Sequence, residues 1–202
     1  MHEKLLLETI KIKDGVIHNL PYHQKRCDTS RKALFKTTKK LVLSMHINPP
    51  SKGLYRCRIL YDISIQSIEY IPYTEKKINT LKIVSSNIIY AHKYANRDPL
   101  NILLKAHQGF DEIIIESGGY LRDTTISNIA FYDEEKWYTP KKPLLEGTMR
   151  AKLLDEGLLH TKNIKTIDIS HFSQVALINA MVGFKILNNL QIQDHQGVIY
   201  DY

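Results

Sequence analysis

The spacing of hydrophobic and polar positions changes several times along the chain, and each change marks an element. Leu5 to Ile12 and Val16 to His18 read as strands on either side of Asp14-Gly15. A strand pair joined by Asp-Gly predicts a hairpin, because these residues accept the positive φ angles of a tight turn. Pro21 to Phe35 has helical character, with Pro21 near the first turn where its missing N–H costs nothing. Lys39 to His46 predicts a second helix, stopped before Pro49-Pro50. Leu54 to Tyr61 and Ile63 to Ile71 alternate apolar and polar residues, which predicts another hairpin turning near Asp62.

Leu81 to Tyr90 reads as a strand, and Pro99 to His107 as a short helix with Asp98 as its N-cap. Ile113 to Ile115 is a buried strand that meets a Gly118-Gly119 turn, and Ser127 to Tyr132 is a further strand. A helix from Thr148 to Glu156 ends at Gly157. Ile164 to Ile169 reads as a strand, Gln174 to Phe184 as one more element, and Gly183 to Tyr200 as more strand. The mixture predicts an α+β fold with antiparallel sheets. A polar stretch, Pro72 to Lys77, suggests a boundary between residues 1–77 and residues 78–202.

Composition narrows the function classes. No apolar run approaches the roughly 18 residues of a membrane span. The start, Met1-His2-Glu3-Lys4, runs directly into Leu5-Leu6-Leu7 without the pattern of a signal peptide, which predicts a cytoplasmic protein. Cys27 and Cys57 have no metal-ligand spacing and read as free thiols, so no metal is expected. The formal net charge is +7, which suits an anionic partner. Arg26, Arg31, Lys32, Lys36, Lys39 and Lys40 read mostly as the solvated face of a helix. Without an aromatic-rich RNA motif or zinc-finger spacing, the partner expected is an anionic small molecule and not nucleic acid.

The most specific signal runs from Gly109 to Arg150. It contains Gly109-Phe110-Asp111-Glu112, then Asp123 ahead of Ser127-Asn128-Ile129, then Thr139-Pro140, then Leu145-Glu146-Gly147-Thr148-Met149-Arg150 at a helix start. This order resembles the class IV aminotransferases, which are pyridoxal-phosphate (PLP) enzymes of fold type IV. The likeness extends from about Leu7 to Gly183. It implies a small N-terminal α/β domain, a larger barrel-like PLP-binding domain that carries the catalytic lysine, and a homodimer.

The resemblance also implies site roles. Lys93, followed by Asn96, stands where the family places its Schiff-base lysine, usually in K-x-x-N-Y; Arg97 replaces the tyrosine and could meet the phenolic oxygen of PLP. A lysine with a lowered pKa serves as both nucleophile and base. Asp123 takes the place of the glutamate beside the pyridine nitrogen, and Asn128 braces it. Leu145 matches the leucine that packs on the ring. The phosphate falls to Arg26 of His23-x-x-Arg26, to the amides of Thr148 and Met149 at the helix start, and to Asn179-Ala180. Asn179-Ala180-Met181 and Leu7-Glu8-Thr9-Ile10 resemble the aminodeoxychorismate lyase branch of the family, and an aminotransferase acting on branched-chain or D-amino acids is the alternative.

Overall fold

The structure, a computed structural model, describes residues 5–202. Met1–Lys4, on which the expectation about a leader partly rests, lie outside the described residues. The chain divides into two compact units. The first contains residues up to Glu75 together with His92–Asn96, and the second contains Lys76–Ala91 and Arg97–Tyr202. The segment carrying Lys93 therefore packs with the first unit, where the sequence had put it with the second.

The first unit is a four-stranded antiparallel sheet with one long helix. Strands β1 (Leu6–Lys13) and β2 (Val16–Ile17) form the expected hairpin, and Asp14 and Gly15 turn with φ of 48° and 80°. Strands β3 (Leu54–Tyr61) and β4 (Ile65–Pro72) form the second, giving the order β2-β1-β3-β4. Helix α1 (Leu20–Phe35) follows the first hairpin. Leu6, Ile10 and Ile12 of β1 and Cys57, Ile59 and Tyr61 of β3 form a core with Cys27 of α1.

Lys39–His46 is not a helix; only Leu43–Met45 makes a 3-10 turn. The side-chain amide of Gln24 explains this, because its Nε2 donates to the Leu41 carbonyl at 2.8 Å while its Oε1 accepts from the Leu43 amide at 2.8 Å. Arg31 Nη1 donates to the Lys39 carbonyl at 2.9 Å. These bonds take backbone groups that a helix would use, and burial of Leu41 and Leu43 favours the extended path.

The second unit has two five-stranded sheets. One runs β14-β13-β5-β6-β7, comprising β5 (Thr80–Ser85), β6 (Glu112–Ser117), β7 (Tyr120–Thr124), β13 (Gln191–Gln193) and β14 (Ile199–Asp201). The other runs β10-β9-β8-β11-β12, comprising β8 (Asn128–Tyr132), β9 (Trp137–Pro140), β10 (His160–Lys162), β11 (Gln174–Asn179) and β12 (Gly183–Leu187). The sheets are mixed rather than purely antiparallel, because β5 runs parallel to β6 and β13, and β9 runs parallel to β10. A parallel β5–β6 pair needs a crossover, and α2 (Asp98–Lys105) lies within it.

Leu81, Ile83 and Ile114 from one sheet meet Ile129, Phe131, Val175 and Leu177 from the other in a shared core. The alternate residues Ala130, Ala176 and Ile178 face helix α3 (Thr148–Asp155) through Leu153. Burial on both faces explains why β8 and β11 read as apolar runs.

Other departures are local. The strand expected to Tyr90 stops at Ser85, where its partner β6 runs into the Gly118-Gly119 turn. Asp98 is the first residue of α2 and Arg97 its cap, so the carboxylate acts in the first turn. Residues Thr166–His171 form a 3-10 turn in place of a strand, because the Asp168 carboxylate accepts from the Lys165 amide at 2.8 Å. Gln174 to Phe184 divides into β11 and the start of β12.

Candidate active site

In the first unit, β1 positions the chemistry. Its Leu7 amide donates to the Lys93 carbonyl at 2.8 Å, and the Ala95 amide returns a bond to the Leu5 carbonyl at 2.8 Å. Lys93 therefore sits on a short extended stretch tied to β1, as the bridge between Leu6 and Tyr94 also records. His92 Nδ1 lies 3.1 Å from Ser30 Oγ on α1, a second anchor for the segment. Lys93 is half-buried.

The same strand carries Glu8, whose side chain is fully buried. Arg26 on α1 grips it side-on, with Nε 2.9 Å from Oε1 and Nη2 2.6 Å from Oε2. His23, one helical turn away, places Nδ1 2.6 Å from Oε2. Burial alone would raise the Glu8 carboxyl, but the adjacent Arg26 charge and the His23 bond outweigh it and hold it at about 2. Burial lowers the pKa of His23 despite Glu8, and the charges of Arg26 and Lys93 add to the effect. An ionised carboxylate can only accept, so His23 Nδ1 carries a proton and donates it to Glu8.

In the second unit, Asp123 lies one residue before the end of β7 and is 3% exposed. Asn128 Nδ2 donates to its Oδ1 at 2.8 Å and the Leu145 amide donates to its Oδ2 at 2.9 Å. Asn128 Nδ2 also donates to the Leu145 carbonyl at 2.9 Å, so one side chain locks acid and loop together. Burial raises the Asp123 carboxyl to about 7, against the lowering effect of those bonds and of the Arg150 charge. Gly147 is required here for space. A Cβ on it would lie 1.9 Å from Asn128 Oδ1.

Gly147 caps α3 without a side chain, and the helix opens at Thr148, which is buried. The Met149 side chain packs into the apolar cluster beneath α3, which leaves its backbone as the part able to meet a ligand. Arg97 Nη2 donates to the Thr125 carbonyl at 2.7 Å, two residues beyond Asp123. Asn179 Nδ2 donates to Ser127 Oγ at 2.8 Å, and its Oδ1 accepts from the amides of Met181 and Val182 at 2.8 and 3.0 Å. Its side chain thus shapes the turn that presents Ala180.

Asp123, Asn128, Leu145 and the start of α3 are brought together in the second unit, and Arg26 and Lys93 lie on elements joined by β1 in the first. Sequence reasoning gave no role to Glu8, His23 or Glu112. Glu112 is buried and accepts from Thr125 Oγ1 at 2.9 Å, bracing the loop that follows Asp123. Burial raises its pKa. Asp111 accepts from the Asn79 and Thr80 amides at 2.8 and 3.0 Å, so the acid pair in the Gly109 motif has a scaffolding part.

The profile of the Amino-transferase class IV family matches residues 5–187. The chain belongs to this family. It is 35% identical over 184 residues to an uncharacterized protein of Haemophilus influenzae, covering 88% of this chain and 98% of that one. A Haemophilus somnus crystal structure, provisionally named a 4-amino-4-deoxychorismate lyase, superposes with a TM-score of 0.82 at 36% identity, covering 91% of this chain and 99% of that one. A Schizosaccharomyces pombe protein, provisionally named an aminodeoxychorismate lyase, is 26% identical, covering 89% of this chain and 87% of that one. A PLP-bound Mycobacterium tuberculosis protein described as a hypothetical aminotransferase shares the fold alone, with a TM-score of 0.77 at 14% identity and coverage of 94% of this chain and 82% of that one.

As a member of this family, the chain is a PLP-dependent enzyme of the α+β class. Its side chains fit that cofactor. PLP presents an aldehyde, a phosphate and a pyridine nitrogen. The first unit offers a half-buried lysine and an oriented guanidinium, and the second, taken by itself, offers a helix start with a side-chain-free cap and a buried carboxylate poised near neutrality. A cationic ring N–H is the kind of partner that would offset the burial of such an acid. No described helix is long and apolar enough to cross a membrane.

Proposed function

We propose that the enzyme is a 4-amino-4-deoxychorismate lyase, forming 4-aminobenzoate and pyruvate. The observation that carries this reading is the 36% identity, over 91% of the chain, to the Haemophilus somnus protein of that provisional name. The Asn179-Ala180-Met181 turn and the Leu7-Glu8-Thr9 strand favour the same branch.

PLP, when bound, supplies an electron sink for the charge left on the carbon that bears the substrate nitrogen. Lys93 Nζ would hold the cofactor through its aldehyde and would be the base for the proton on the carbon that bears the substrate nitrogen. Asp123 would hold a proton at the ring nitrogen, and Asn128 and the Leu145 amide keep its oxygens in place. Arg26, the Thr148 and Met149 amides and the Asn179-Ala180 turn would bind the phosphate, Leu145 would pack on the ring, and Arg97 would donate to the phenolic oxygen. The enolpyruvyl group leaves as the substrate ring becomes aromatic. The substrate carries two carboxylates, which the net charge of +7 helps to gather. The reading also carries a cytoplasmic homodimer that serves folate synthesis.

The test is incubation with aminodeoxychorismate, following 4-aminobenzoate fluorescence and pyruvate. Equal amounts of both are expected. Rapid conversion of branched-chain or D-amino acids to keto acids, with no 4-aminobenzoate, overturns the lyase in favour of an aminotransferase.

A further inference from the structure

Glu8 has no part in the chemistry proposed above, yet it is a fully buried charge. A buried ion pair gives weak net stability, because desolvation offsets most of its attraction, and apolar residues of similar volume often serve as well. Its geometry is more informative. Side-on contact through both Nε and Nη2 fixes the plane of the Arg26 guanidinium, and the bond to Glu8 does not engage Nη1. His23 meets the same carboxylate from the same helix, so Glu8 ties α1 to β1 at two points. β1 is also the strand whose backbone holds the Lys93 segment, through Leu7 and Leu5.

We propose that Glu8 is a positioning residue for phosphate recognition: by clamping Arg26 against β1, it presents the guanidinium preorganised on the strand that anchors Lys93. The inference rests on the assignment of Arg26 to the phosphate.

Two effects of Glu8 oppose each other. Its negative charge neutralises part of the Arg26 field, which weakens attraction for an anion. Its clamp removes rotamer freedom from a side chain with four rotatable bonds before the ligand arrives, which strengthens binding. Arg26 keeps its charge in the pair, which engages Nε and Nη2, and the planar fork geometry is the feature that bidentate recognition needs. Preorganisation is therefore the larger effect.

The experiment compares affinities of the full-length protein for PLP and for pyridoxal, which lacks the phosphate, by absorbance titration after removal of bound cofactor. Glu8→Gln keeps shape and removes the clamp's charge. It should lower the preference for PLP over pyridoxal about tenfold, with pyridoxal affinity nearly unchanged, a split that general loosening of the fold would not produce. In an Arg26→Gln background, Glu8→Gln should cause no further loss of preference. Glu8→Asp, which withdraws the carboxylate by one methylene, gives an intermediate loss and supplies the same comparison if Glu8→Gln does not fold. A preference in both Glu8 variants equal to or above that of the unsubstituted protein overturns the inference while leaving Arg26 at the phosphate. A loss that persists undiminished in the Arg26→Gln background also overturns it. An unchanged preference in Arg26→Gln itself removes the phosphate assignment, and the inference with it.

Discussion

Asp123→Asn separates the cost of a buried acid from its use. In the folded chain without cofactor, burial moves the Asp123 carboxyl from its ordinary 3.8 to about 7. The folded state then binds more protons than the unfolded chain between those values. Stability that is fully present below about 3.8 is lost as the pH rises through about 7. At about 1.4 kcal/mol per pH unit, the gap corresponds to roughly 4 kcal/mol. Asparagine does not titrate. It sets two donors, Asn128 Nδ2 and the Leu145 amide, against a single acceptor oxygen, a penalty of about 1–3 kcal/mol that does not change with pH.

The expected outcome is a difference in stability between variant and wild type that shifts by roughly 4 kcal/mol in the variant's favour from pH 4 to pH 8. Glu112 and the other acids titrate in both proteins and cancel. The assay is urea unfolding of cofactor-free protein followed through Trp137, the chain's single tryptophan, which lies in the same unit as Asp123. Added PLP should flatten the wild-type pH dependence, because on the proposed reading a ring N–H would pair with the carboxylate, and should not flatten that of the variant. Parallel pH profiles for the two cofactor-free proteins would refute the reasoning and show that Asp123 is solvated.

Borohydride treatment of PLP-loaded protein should fix the cofactor on the peptide containing Lys93, and Lys93→Ala should lower turnover by at least about 10²–10⁴-fold; label on Lys105 instead would refute the assignment. Arg26→Ala should weaken PLP binding roughly ten- to a hundred-fold. Because it strands the buried Glu8 carboxylate, it should also lower folding stability by about 3–5 kcal/mol, which chemical denaturation measures. Unchanged stability would mean that water reaches Glu8. Gly147→Ala should drive its Cβ into Asn128 Oδ1, breaking the tie to Asp123 and costing about 2–4 kcal/mol in stability; wild-type stability and cofactor affinity would show that Asn128 can move aside.

The chain's own pattern determined the elements that local chemistry decides. The Asp14-Gly15 and Gly118-Gly119 turns, the Asp62 hairpin, α1 and the stop of α3 at Gly157 follow from turn residues and periodicity that act over a few positions. The order of the Gly109–Arg150 block gave the family, and with it the candidates Lys93, Asp123 and Arg26. Tertiary structure decided what depends on distant partners. Whether Lys39–His46 coils into a helix rests on Gln24 and Arg31, which reach it from α1. Whether Asp123 is a turn residue or a buried acid rests on Asn128 and Leu145, five and 22 positions away along the chain. Glu8 entered the sequence reading only as part of the Leu7-Glu8-Thr9-Ile10 resemblance; its burial against charge appears only once α1 brings Arg26 and His23 across to it, over separations of 18 and 15 residues. A buried charge is visible as such only when its neighbours are known, because the cost of its desolvation and the partner that offsets it are both properties of the packed chain.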